Sequence, residues 1–186
     1  MLAAHLRHRL ARADLPALLA AHAAAAAGDV GLLPEIDTAL TAVKLTREER
    51  QASVRTGTRV YAEAERLAAI SSPRTRGEVG GGIALYRPGN AAVAFALAGH
   101  ALGLSARESA LTYAYGFASG MVSASLRLLR IGHGEAQAVL RRSHVGIEQA
   151  PDVAGTIPWD ALCPSAPGLD LASARHERLP ARLFAS

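Results

Sequence analysis

Seven histidines and a single cysteine are the most reactive side chains in this 186-residue chain. His5 and His8 stand three apart and share a helix face if the first residues are helical. Two ligands alone make a weak metal site. His100 lies in an apolar run and reads as a core histidine. His133, between Gly132 and Gly134, is placed to be exposed and open to a transient metal contact. Cys163 lies in a Pro-rich stretch, with His176 thirteen residues on. A Cys–His nucleophile needs its base brought close and an oxyanion hole, and the sequence points to neither. The chain carries no His-Glu-x-x-His and no Gly-x-Ser-x-Gly elbow. Gly80, Gly81 and Gly82 could cradle a phosphate, but no Lys-Ser/Thr follows and no strand precedes, so they read as a connector rather than a P-loop. One cysteine excludes an internal disulfide framework and any multi-cysteine metal centre within one chain, and fits a reducing cytoplasm.

Nineteen of the 20 basic residues are arginine; Lys44 is the exception. The net charge of +4 comes from few carboxylates rather than from a dense basic patch, which argues only weakly for nucleic acid. Arg127, Arg130, Arg141 and Arg142 span a helix–Gly–helix junction. They form either a solvated face or a surface for an acidic protein patch, where guanidinium forks pair carboxylates. A transcription regulator would place a basic recognition helix after a tight turn. The candidate turn Gly103-Leu-Ser105 leads into Ala106-Arg-Glu-Ser-Ala-Leu, which is poor in base-reading residues.

The elements that must position these groups are helical nearly throughout. The sequence holds 41 alanines and 25 leucines, both strong helix formers, and only 4% aromatic residues. The composition predicts one all-α domain over 1–186: a helical bundle with its core at about 14–150 and a long Pro-rich C-terminal segment and tail at 151–186. No apolar stretch is long enough to span a bilayer. Helices are expected over Leu2 to Arg12, then over Leu15 to Ala27 with Asp14 as cap and Gly28 as terminator, and from Pro34 to about Lys44. Thr46 and Glu49 form a capping-box signature for a helix to about Ile70, with Val54, Val60, Tyr61 and Leu67 toward the core. Asn90 caps a helix to Leu102 that is apolar all round and should be central. Ser105 and Glu108 form a second capping box for a helix to about residue 131. There Gly116 and Gly120, with Ser119 and Ser123, leave room for close packing inside the core or at a subunit seam. A last helix is expected from Glu135 to about Gln149.

Several segments together resemble one family. They are Pro34-Glu-Ile-Asp37, Thr46-Arg-Glu-Glu-Arg-Gln-Ala-Ser53 with Gly57, and Gly99-His-Ala-Leu-Gly-Leu104 followed by the small-residue helix with Tyr113 and Ser119. Arg127-Leu-Leu-Arg-Ile-Gly132 with Glu135-Ala-Gln137 and Leu140 is similar to an Arg-Leu-x-x-x-Gly-x-x-x-x-Gln signature. His176-Glu177 and Arg182-Leu-Phe-Ala-Ser186 are similar to a His-Glu … Arg-Leu-Phe-x-Ser ending. In this order, over residues 34–186, they resemble the UreF family of urease accessory proteins.

The resemblance implies an all-α, dimeric, non-catalytic protein of the cytoplasm. It would bridge a UreD/UreH-type accessory protein and a UreG-type GTPase, so that nickel, handled in transit and not bound stably, reaches apo-urease. It implies no partnership with nucleic acid or membrane. The tail would dock on the UreD/UreH-type protein through His176, Glu177, Arg178, Arg182, Leu183, Phe184 and Ser186. Arg182 would give charge-assisted hydrogen bonds, and Leu183 and Phe184 buried anchors. Gln137 would sit inside the core near a passage for nickel. Family members usually begin with Ser-x-x-Pro-x-Gly-x-x-x-His-Ser-x-Gly-Leu-Glu. This chain opens at Leu2-Ala-Ala-His, in what would be the following helices.

Overall fold

The computed structural model describes residues 2–71 and 86–177. Among the described residues the order is α1 (Leu2–His8), a 3-10 turn (Leu10–Arg12), α2 (Asp14–Ala27), α3 (Leu32–Ala42), α4 (Arg47–Ser71), α5 (Ala91–Ala101), α6 (Ala106–Leu128), α7 (His133–Ala154) and α8 (Pro167–Glu177). All are helical, as the composition predicts. None is long and apolar enough to cross a membrane.

α5 is the centre of the bundle. It touches α2, α3, α4 and α6, and Ala91 to Ala94 and Ala96 to Gly99 are all buried. Its walls are mostly alanine, so its neighbours come close. Gly99 packs on Ser109 of α6, and a Cβ at Gly99 would lie 2.2 Å from Ser109 Oγ. That hydroxyl is fully buried and has no hydrogen-bond partner. α2 and α5 end alike. Gly28 and Gly103 take φ of +71° and +77°, and the next N–H reaches back to the carbonyl of Ala24 or Gly99 at 2.9 Å. This is the glycine stop read from the sequence.

A buried carboxylate knots the start of α5 to α3. Asp37 Oδ2 accepts from Gly89 N at 2.6 Å and Tyr86 Oη–H at 2.8 Å, and its Oδ1 accepts from Asn90 N and Nδ2, both at 2.8 Å. Burial, then the bond to Asp37, pushes the Tyr86 hydroxyl pKa far up. Asn90 gives no side-chain cap bond, because its Nδ2 donates to Asp37 and Thr41 and its Oδ1 accepts from Ser53. Ser53 of α4 caps instead: its Oγ accepts from Ala91 N at 3.1 Å and donates to Asn90 Oδ1 at 3.0 Å. Gly57 lets α4 lie this close.

Other caps divide. Ser105 and Glu108 form the full predicted box. Thr46 Oγ1 accepts from Glu49 N at 3.2 Å, but the Glu49 carboxylate goes to an arginine. Asp14 lies inside α2 and gives no cap bond. α7 continues past Gln149 to Ala154 with Pro151 inside it. Proline so near a helix end forfeits a single backbone bond, and burial of Ala150, Pro151 and Ala154 holds the last turn. The C-terminal segment also contains a helix the sequence reading lacks: α8 begins with Pro167, as proline at a first turn should.

A Cβ at Gly57 would stand 2.8 Å from Gly89 O and 2.9 Å from Asn90 C, both backbone atoms. Gly57→Ala should cost about 1–3 kcal/mol, read as a lower urea midpoint at unchanged slope.

Candidate functional site

Arg9, on the short link between α1 and the 3-10 turn, is 9% exposed. Its Nη2 pairs with Glu49 Oε1 at 2.7 Å, and its Nη1 pairs with Asp170 of α8. Beside this triad, Lys44 Nζ meets Asp14 Oδ1 at 2.9 Å, and Tyr113 Oη lies 3.5 Å from the same oxygen. Burial, aided by Asp14, pushes the Tyr113 hydroxyl pKa well up. These five charges come from five separate parts of the chain.

They border a half-open cavity of about 430 Å³, walled by Phe95, Tyr113 and Phe117 and rimmed by His5, Arg9 and Glu49. The His5 ring lies 5.2 Å from the Phe117 ring. Two buried polar atoms at this cavity, His5 Nδ1 and Glu49 Oε2, have no hydrogen-bond partner. The cavity thus offers an apolar wall with an imidazole nitrogen and a carboxylate oxygen. Two of the hydroxyls that line it are already engaged. Ser53 Oγ is committed to the α5 cap, and Thr112 Oγ1 donates to Glu108 O at 2.7 Å. Among the described residues no group of three or more His, Cys, Asp or Glu is gathered to hold a metal ion.

α8 closes one side of this region through polar contacts. Besides Asp170–Arg9, Ser173 Oγ lies 3.4 Å from Thr46 Oγ1, and His176 Nδ1 lies 3.1 Å from Glu48 Oε2. The approach to it is fixed by Cys163 N–H on Arg12 O and Ser165 N–H on His8 O.

The residues singled out from the sequence scatter. His176 is on α8 and Glu177 ends it, whereas Arg178, Arg182, Leu183, Phe184 and Ser186 lie outside the described residues, as do Gly80 to Gly82. Gln137 is exposed, not in the core. The buried stripe of α7 runs Ala136, Leu140, Ser143, Ile147, Ala150, and Gln137 falls one residue beyond it. His5 faces the cavity while His8 is exposed elsewhere, so they share no site. His100 is exposed, and the core histidine is His22, whose Nε2 lies 2.9 Å from Leu104 O. Exposed Cys163 has no bond to His176. Arg107, which would head a recognition helix, is tied to Asp152 instead. Sequence reasoning missed Arg9 and the Lys44–Asp14 pair. The sole lysine and the acidic residues after Thr46 were the available signals.

The model of the UreF family matches residues 1–144. The chain belongs to the UreF family. Among its relatives, the urease accessory protein UreF of Paenarthrobacter aurescens (strain TC1) is 32% identical over 159 residues, covering 85% of this chain and 69% of the relative. That of Arthrobacter sp. (strain FB24) is 31% identical over 155 residues, covering 82% and 67%. That of Chromohalobacter salexigens is 30% identical over 181 residues, covering 95% and 73%. The UreF model ends before the last third of α7, whereas the third alignment spans nearly the whole chain.

Two predictions follow from these charges. Arg9→Met leaves Glu49 and Asp170 without their cation and should cost about 3 kcal/mol in urea unfolding. Burial, reinforced by Arg9, lowers the His5 pKa, and partial desolvation of the ring, then His22, lowers that of His100. Both histidines then take up protons more readily in the unfolded chain. The stability they contribute is full above their ordinary pKa of about 6.5 and is lost as pH falls through it toward the lower native values. The drop in urea midpoint from pH 7.5 to pH 5.5 should be smaller in a His5→Gln/His100→Gln variant than in the wild type.

Proposed function

We propose that this UreF-family protein is a non-catalytic urease accessory scaffold of the cytoplasm. It bridges a UreD/UreH-type protein and a UreG-type GTPase while nickel passes, as cargo, to apo-urease. The match of the UreF family over residues 1–144 carries this reading. The occupied hydroxyls at the cavity favour binding over catalysis.

The docking arm for the UreD/UreH-type protein is the C-terminal segment: His176 and Glu177, then Arg178, Arg182, Leu183, Phe184 and Ser186. Its described part supports this. α8 is held by ion pairs and hydroxyls, and its Leu171 stands 53% exposed. Homodimerisation through α6 is part of the same reading. Gly116 and Gly120 are exposed with open space around each, and Tyr115 beside them is exposed. The open space at these two glycines would admit a second backbone. Gln137, on the surface of α7, would meet a nickel route only where another protein covers it.

The test is co-purification with a UreD/UreH-type protein and a UreG-type GTPase, comparing the intact chain with one lacking Arg182 to Ser186. The intact chain should form the ternary complex and the shortened one should not. The pure protein should hydrolyse no GTP; turnover by it alone would sink the scaffold reading.

A further inference from the structure

The corner between α6 and α7 exposes two adjacent leucines. Leu128 is 56% exposed and Leu129 57%. Neighbouring large aliphatics in water mark an interaction site more often than a lone exposed leucine does. The corner is also firmly held. Leu129 N–H bonds Ser125 O at 2.8 Å, Gly132 N–H bonds Glu135 Oε2 at 3.0 Å, and Ile131 packs back on the core. A preformed corner loses little freedom on binding.

Charge decides what fits there. Arg127 and Arg130 flank the leucines, and Arg141 and Arg142 continue the positive charge along α7. All four are exposed and make no hydrogen bond or ion pair among the described residues. The carboxylates of α7 offset them only in part: one stands at this corner and the others at the far end of the helix. Glu135 is committed to Gly132 N, and Asp152, with Glu148 nearby, serves Arg107 at the other end of the helix. Free guanidiniums around an apolar pair are complementary to carboxylates around an apolar notch. A nucleic-acid backbone would satisfy the arginines but leave both leucines facing phosphate and water.

We propose that Arg127, Leu128, Leu129 and Arg130 form a docking surface for a second protein whose acidic patch borders an apolar notch. Leu128 and Leu129 are its buried anchors, and the arginines pair carboxylates at the rim. The 22 residues of α7 separate this corner from the segment leading to α8 by about 33 Å. The two ends can therefore hold different partners. The inference rests on the bridging reading in one respect: the partner at the corner is the GTPase arm and not the UreD/UreH-type arm.

The experiment titrates the full chain, by calorimetry, with a purified UreG-type GTPase and separately with a purified UreD/UreH-type protein. The chains compared are wild type, Leu128→Gln/Leu129→Gln and Arg127→Glu/Arg130→Glu. All substituted side chains are exposed, and thermal melts check that each variant folds. Both variants should bind the GTPase at least tenfold more weakly and the other protein as the wild type does. Only the arginine variant should lose most of the salt dependence. Wild-type binding of the GTPase by both variants would overturn the proposal and leave the scaffold reading intact. So would loss confined to the UreD/UreH-type protein, or a change from dimer to monomer by light scattering. Duplex DNA binding at physiological salt, abolished by Arg127→Glu/Arg130→Glu, would assign the corner to nucleic acid and overturn it too. A wild type that binds neither protein would overturn the scaffold reading and this inference together.

Discussion

Arg9 sits almost wholly out of water between carboxylates from two distant parts of the chain, Glu49 at the start of α4 and Asp170 in α8. A guanidinium is suited to this position. It is planar, holds its charge when desolvated and can direct separate N–H groups to two acceptors. Taking three charges out of water is costly, and such a triad persists only when its geometry is good. The benefit here is topological. One side chain fixes the N-terminal helix, the start of the longest helix and the C-terminal helix relative to each other. The contacts described for α8 are polar: this triad and the weaker ones of Ser173 and His176.

The core answers to a different constraint, the scarcity of aromatic residues. With alanine as the main building block, area must be buried by bringing backbones together. α5 meets α2, α4 and α6 through alanine and glycine. The polar groups this close approach traps are satisfied by neighbours: Asp37 takes the amides of Gly89 and Asn90, and Ser53 takes that of Ala91. Residues of the segments carrying the family resemblance meet here, since Asp37 and Gly57 both act on the Gly89–Asn90 backbone.

Periodicity and glycine stops made the helices legible, because both are local. The buried centre at α5 followed from its apolar circumference. What escaped was the choice of partner for a polar side chain, which tertiary packing decides. Asp14, Glu49 and Asn90 all had the residue type of a cap, yet each was drawn off by a group remote in sequence: Lys44, Arg9, and Asp37 with Ser53. The core place expected for His100 goes to His22, which lies beside Leu104 O. Gln137 misses the buried stripe of α7 by one position, a 100° rotation that no local motif records. Arg9 was invisible for a simpler reason: in a basic N-terminal stretch, nothing marks which arginine will find two carboxylates.

The contact of Gly99 with Ser109 bears on how such a core can drift over generations. A methyl group at residue 99 would overlap the Ser109 hydroxyl, which itself bonds to nothing. Residue 99 is then not free to vary by itself: it can gain a side chain only once residue 109 has surrendered its own. Gly-Ser and Ala-Gly at these two sites occupy similar volume, and the second pairing also removes an orphaned hydroxyl. The two residues form a heritable unit, in which loss at the second site licenses gain at the first.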